Sequence, residues 1–339
     1  MKNAWGLVVA VALVLAAPAP GSAQDAFYKG KTIRIIVGVS PGGGYDTYAR
    51  LIGRHMSRHI PGTPTIIVDN MPGAASRIAA NHLYKVAKPD GLTIAHFLGG
   101  LFTQQLLEKP GIEFDARRFE YIGVPAQDNY VITVSRATGV TSMEQWAAAR
   151  TRVKLGGVGA GSPTDDIPKI LAETIGLPVQ LVTGYKGTAD IRLAFQSGEV
   201  QGVCNAWESL KATWRKELDA GEATVVLQAT ARPHPELPNV PLAIGFAKTD
   251  EARKLIQAYV HPVPLTARPF ALPPGTPRER VQMLRKAFMA TMQDPEFRAE
   301  AHTAKVDINP ADGAELERHV KDIFTLEPGL VARLKEILR

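Results

Sequence analysis

The chain has 339 residues, with 39 Lys and Arg against 33 Asp and Glu, a formal charge of +6 and one cysteine. The basic residues are scattered and not interleaved with aromatics, which argues against a nucleic-acid partner. A lone Cys204 rules out an internal disulfide. The length suits about two domains whose cores need no covalent staples.

Met1-Lys2-Asn3 is followed by an apolar run from Trp5 to Ala17. That run falls short of the roughly 20 residues a membrane-spanning helix needs. With the small residues Gly21-Ser22-Ala23 behind it, it reads as a signal peptide over residues 1–23, leaving an exported chain from Gln24. Thr32–Val37 is short and β-branched, so a buried strand is expected. The turn Ser40-Pro-Gly-Gly-Gly44 follows. A helix then begins at Tyr45, with Tyr48, Leu51, Ile52 and Met56 near one face and Arg50, Arg54 and Arg58 on another. Pro61-Gly62 ends it. A strand at Thr65–Val68, a helix at Ser76–Val86 and a strand at Leu92–Leu98 complete a β-α-β-α-β unit with a parallel sheet.

A second unit repeats the style. Strands are expected at Tyr130–Val134 and Val153–Val158, then the turn Gly159–Pro163 and a helix at Asp165–Ile175. The strand Gln180–Val182 leads through Gly184-Tyr-Lys-Gly187 into a helix at Ala189–Gln196. Val200–Asn205 and Thr224–Gln228 read as further strands. The Pro-rich segments His234–Pro241 and Arg268–Pro277 have connector chemistry. Amphipathic helical stretches follow at Val281–Met292 and Leu316–Leu338.

Several motifs weaken on inspection. Gly38-Val-Ser40-Pro-Gly42 fits the G-x-S-x-G pattern of a hydrolase nucleophile elbow, and an exported α/β hydrolase using Ser40 is the alternative reading. However, the residue after Ser40 must supply an oxyanion-hole N–H, and Pro41 has none. Gly157–Gly161 lacks the dinucleotide spacing. His55 and His59 share a helix face with Arg54 and Arg58, which points to a solvated basic face and no metal site. No cofactor and no catalytic residue are expected.

One device occurs twice: Ser40–Asp46 and Ala160–Asp166 each deliver a Gly-rich turn onto a helix N-terminus. Such a terminus presents free N–H groups and partial positive charge. Two of them facing each other would hold a carboxylate by backbone donors.

Taken in order, the chain resembles the tripartite tricarboxylate transporter substrate receptors, the Bug-type periplasmic binding proteins. The resemblance rests on Lys31–Val37 with Ser40–Asp46, on Asp69–Ala75, and on Lys88-Pro-Asp-Gly91. Further along it rests on Gly159–Pro163, Tyr185–Gly187 and Ala271–Pro277. It implies an α/β, two-lobed, Venus-flytrap (type II periplasmic-binding-protein) architecture, each lobe a mostly parallel sheet flanked by helices, with two crossovers. By analogy lobe one is residues 24–126 plus 267–339, and lobe two is residues 127–266. The family's role would be to capture a small organic acid in the periplasm, as a monomer, and deliver it to integral-membrane permease components. A receptor serving a membrane sensor is the other reading within this architecture.

Carried across by position, the first-lobe site comprises Gly42, Gly43, Gly44, Asp46, Ala74, Ala75, Ser76 and Gly99. The second lobe contributes Ser162, Thr164, Asp165, Tyr185, Lys186, Gly187 and Asn205. Lys186 is the cationic candidate among them, or else a solvent-pointing lysine. Where the family often has Ser-His after Gly-Ser-Pro, this chain has Thr164-Asp165-Asp166, two acids that either cap the helix or touch the ligand.

Overall fold

The computed structural model describes residues 27–149 and 152–339. The expected signal peptide lies outside the described residues. In chain order the first elements are β1 (Thr32–Val37), α1 (Gly44–Met56), β2 (Thr65–Asn70), α2 (Arg77–Lys85), β3 (Thr93–His96), α3 (Leu101–Leu106) and β4 (Glu120–Val124). Next come β5 (Tyr130–Ser135), α4 (Met143–Ala149), β6 (Val153–Gly157), α5 (Pro163–Ile175), β7 (Val179–Thr183) and α6 (Thr188–Gln196). They are followed by β8 (Gly202–Ala206), α7 (Trp207–Thr213), α8 (Arg215–Asp219), β9 (Ala223–Gln228) and α9 (Asp250–Leu255). A π-helical turn spans Ile256–Val260. The chain ends with α10 (Val263–Thr266), β10 (Phe270–Leu272), α11 (Arg278–Gln293), α12 (Pro295–Thr303), β11 (Ala311–Asp312), α13 (Gly313–Ile323) and α14 (Pro328–Ile337).

Two sheets organise these elements, in the orders β11-β4-β10-β3-β1-β2 and β7-β6-β8-β5-β9. β1 pairs parallel with β2 and β3, while β10 runs antiparallel to both β3 and β4. In the second sheet β6 pairs parallel with β7 and β8, and β5 runs antiparallel to β8 and β9. Most strands of each sheet therefore share one direction, interrupted where the chain passes between sheets. Those passages lie between Val124 and Tyr130 and between Gln228 and Phe270.

The elements follow from local chemistry. Ile33, Ile35, Ile36 and Val37 of β1 are all buried, as a β-branched strand covered on both faces requires. α1 buries Tyr48, Ala49, Leu51, Ile52 and Met56 against that sheet. α5 begins with a Ser162 cap and Pro163 in its first turn, and Gly176 closes it at φ +69°.

Three expectations need correction. The basic face of residues 54–59 is ion-paired as well as solvated: Arg54 and Arg58 stay 54% and 42% exposed, while His55 is buried. Arg54 and His55 bind Glu300, His59 Nε2 lies 2.9 Å from Asp294 Oδ2, and Arg58 binds Glu296. Because the Arg58 guanidinium reaches His55, Asp294 and Glu296, it supplies the countercharge a cation would otherwise bring. The amphipathic stretch 316–338 is two helices, α13 and α14, because Pro328 starts a new one. Finally, α14 was expected within the first lobe but packs on the second. Leu334 and Leu338 are buried in the core around α5 and α9, and Arg333 bridges Glu173 and Glu251.

Candidate functional site

Each Gly-rich turn between the lobes is closed by an acid from the helix it starts. The Asp46 carboxylate accepts from Gly42 N at 2.9 Å, from Arg50 Nε at 2.9 Å and from Asn70 Nδ2 at 2.9 Å. Burial alone would raise its pKa, but these donors hold it below the ordinary value. Asp165 Oδ2 accepts from Gly159 N at 2.8 Å, and Asp166 Oδ2 accepts from Gly161 N at 3.0 Å. Asp190 Oδ2 accepts from Lys186 N at 3.1 Å. The acids after Ser162 thus tie down their own loop.

The pairing of loops across the cleft differs from the expected one. Gly42 and Gly43 face the start of α6, and Gly44 faces Ser209 and Arg268, not the 160–166 turn. A Cβ on Gly43 would lie 2.7 Å from Thr188 Oγ1 and 3.6 Å from Ala189 N. Beside this contact, Ser40 N donates to Lys186 O at 2.9 Å. The 159–161 turn instead meets Ala75 and Gly100: a Cβ on Gly100 would lie 2.3 Å from Gly161 O. Neither α1 nor α6 has a side-chain cap, since Gly43 and Gly187 occupy the capping positions. Two helix N-termini without side-chain caps therefore lie close together.

Next to this junction a cavity of about 20 Å³, room for about one water, is lined by residues of both lobes. Its charged wall is Arg268 with Asp128. The Arg268 guanidinium stacks between the rings of Tyr45 and Tyr48, 4.7 and 4.6 Å from their centroids. Its Nε donates to Asp128 Oδ1 at 2.5 Å and its Nη2 to Ser209 Oγ at 2.5 Å. Nη1 is buried and has no hydrogen-bond partner among the described residues. It sits against the first turn of α1: a Cβ on Gly44 would be 3.4 Å from it. Also lining the cavity, Asn205 Oδ1 accepts from Ala206 N at 2.9 Å, which fixes the amide orientation and leaves the buried Nδ2 without a partner among the described residues.

Of the residues named from sequence, Ser162, Thr164 and Asn205 line this cavity. Ala74, Ala75 and Ser76 form three successive left-handed residues (φ 46°, 51° and 70°), with Ser76 Oγ donating to Gly38 O at 3.0 Å. Gly99 N donates to Ala267 O at 3.0 Å, where that strand end meets the returning chain. Tyr185 OH donates to Glu199 at 2.5 Å, and the Lys186 side chain is exposed. Gly187 lies over Ser40, whose buried hydroxyl has no partner among the described residues, so no general base is joined to it. The cation at the cavity is Arg268, which the sequence reading placed in a connector. Its signal was slight: one arginine ahead of the short apolar run Phe270–Leu272.

Asp166 brings a pH dependence. Its Oδ2 accepts from Gln104 of the first lobe at 3.1 Å and from Tyr259 OH at 2.8 Å, while Oδ1 has no partner. Burial pushes this carboxyl up to about 7, and Glu208, also buried, to about 7. Both folded values lie above the unfolded ones, so the folded state holds more protons between about pH 4 and 7. The contribution of these two carboxyls to stability should be fullest below about pH 4 and be lost as pH rises through 7. Thermal melts of Asp166→Asn should show a shallower fall between pH 5 and 8 than the parent; an unchanged slope would assign the effect elsewhere.

No helix among the described residues is long and apolar enough to cross a membrane. Residues 49–335 match the tripartite tricarboxylate transporter family receptor. A UPF0065 protein from the gbd 5' region of Cupriavidus necator is 25% identical over 316 residues, covering 90% of this chain and 87% of that one. The periplasmic binding protein BugD superposes with a TM-score of 0.73 at 22% identity, covering 91% of this chain and 98% of BugD. MatC from Rhodopseudomonas palustris, solved with malate, gives 0.71 at 18% identity, covering 91% of this chain and 99% of MatC. A second R. palustris protein, solved with adipate, gives 0.71 at 22% identity, covering 90% of this chain and 97% of its own. The fold is the two-lobed periplasmic-binding-protein architecture. With the family's pattern running from the first helix to the last, this chain belongs to the tripartite tricarboxylate transporter family receptors, a family of receptors and not of enzymes.

Proposed function

We propose that the protein is an extracytoplasmic receptor that closes its lobes around a small carboxylate-bearing molecule. It then delivers that molecule to the integral-membrane components of a tripartite tricarboxylate transporter. The observation that carries this reading is the meeting of α1 and α6 by their uncapped N-termini beside Arg268. Two helix N-termini and the Arg268 guanidinium, itself paired with Asp128, lie close together there, so an anion finds donors from both lobes. The malate and adipate held by relatives of the same fold agree with an acid as ligand. Because the cavity of about 20 Å³ is too small for an organic acid, the lobes must stand further apart when one is bound, by motion about residues 125–129 and 267–269.

Hydrogen bonds to a charged group contribute about 1.5–3 kcal/mol each. Four or five of them, less the ordering cost, reach the roughly 8 kcal/mol of micromolar binding. A ligand at a hundred times its Kd should raise the unfolding free energy by about 2.7 kcal/mol. A melting screen over mono-, di- and aromatic carboxylates tests this. The absence of any shift at millimolar concentration would overturn the carboxylate assignment.

A further inference from the structure

The buried polar atoms left free at the cavity are all of one kind. Arg268 Nη1 and Asn205 Nδ2 are both donors and both lack partners among the described residues. Every hydroxyl on the buried wall is already engaged. Tyr45 OH donates to Ala267 O at 2.5 Å, and Tyr130 OH donates to Asp128 Oδ2 at 2.8 Å. Ser162 and Thr164 bond each other at 2.8 Å, and Thr164 Oγ1 donates to Asp165 at 2.8 Å. Both Asp128 oxygens are taken, one by Arg268 and one by Tyr130. The remaining surface comes from Val39, Leu98, Val158 and Pro163, with Thr188 as its one further polar residue.

We infer that Arg268 and Asn205 form the two-sided clamp for a single carboxylate, and that the ligand beyond it is an apolar monocarboxylic acid. This rests on the receptor reading above and narrows its ligand class. Arg268 Nη1 supplies a charge-assisted bond backed by the α1 N-terminus, and Asn205 Nδ2 supplies a second from the other lobe. The carbon skeleton then lies against Val39, Leu98 and Val158. A ligand ammonium would sit beside the Arg268 guanidinium, which already neutralises Asp128, and a ligand hydroxyl would have to share acceptors that other donors hold. A second carboxylate would be buried against aliphatic walls. Because Arg268 also holds Asp128 on the opposite chain crossing and Ser209 on α7, the anion docks onto the residue that joins both crossings to both lobes.

Isothermal titration of the whole protein with butyrate, benzoate, malate, adipate and glutamate tests the specificity. Butyrate or benzoate should bind at least about tenfold tighter than the other three, since each of those leaves a polar group unmatched. Asn205→Asp keeps the acceptor for Ala206 N but turns the facing donor into a negative group, so monocarboxylate binding should weaken about 100-fold or more. Asn205→Ala should weaken it about tenfold and guards against a folding defect in the aspartate variant. Arg268→Lys, which keeps the charge but loses the fork, should weaken it about tenfold. Tighter binding of malate, adipate or glutamate, or wild-type affinity in both Asn205 variants, would overturn the clamp while leaving the receptor reading intact. Failure of every acid to bind the parent protein would overturn both together.

Discussion

Asparagine in place of Asp128 is expected to lower the unfolding free energy by about 3–5 kcal/mol, measured from urea-unfolding midpoints at constant slope. The side chains of Arg268 and Asp128 are 1% and 0% exposed, so solvent screens neither charge. Burial alone would lower the Arg268 pKa, yet Asp128 and the surrounding tyrosines hold it above its ordinary value. Arginine titrates so far above neutral pH that the guanidinium stays charged when its counterion is removed, and it stays buried between Tyr45 and Tyr48. Asparagine reproduces the shape of Asp128 but not its charge. A double replacement, Asp128→Leu with Arg268→Met, should cost less than the single one because it orphans no charge. A loss below about 1 kcal/mol in the single variant would place the pair with exposed salt bridges and contradict its burial.

Alanine at Gly100 should weaken ligand binding by about 1–3 kcal/mol, roughly 5- to 150-fold in Kd. Gly100 has φ −59°, open to any residue, so the demand for glycine is steric. The added Cβ would stand 2.3 Å from Gly161 O and 3.0 Å from Gly161 C, both backbone atoms of the opposite lobe. Those atoms cannot rotate away as a side chain would, so the lobes must part. The defect should appear in titration as weaker affinity, and in small-angle scattering as a saturated protein larger than the saturated parent. Wild-type affinity with a wild-type radius would show that the two turns are not in contact in the closed receptor.

The alternation of strands and helices in both lobes was legible because each long element carries its own period. β1 is a β-branched run and α1 shows an apolar stripe, and both lie close to where the pattern placed them. β10 was not legible. It has three residues between Pro269 and Pro273, and its place between β3 and β4 is set by those partners and by no period of its own. The site divides the same way. Gly-rich turns announce themselves locally, but which turn faces which depends on how the lobes close. Arg268 gains its role from Tyr45, Asp128 and Ser209, residues that no sequence window holds together. The acids told the opposite story from the one their charge suggests. Asp46, Asp165 and Asp166 spend their oxygens on the N–H groups of their own loops, while the ends of α1 and α6 carry glycine and no side-chain cap.

The last helix bears on the mechanics of opening. Two crossings alone would make a pair of jaws free to swing and to twist about the line through them. After α13, which packs on β4 and α3 of the first lobe, residues 324–327 carry the chain over a third time, and α14 is moored on the second lobe by Leu334, Leu338 and Arg333. A third strap therefore ties the lobes together besides the two crossings. Gaping beyond the slack of four residues would have to tear Leu334 and Leu338 out of their seat, at about 1.5–3 kcal/mol apiece.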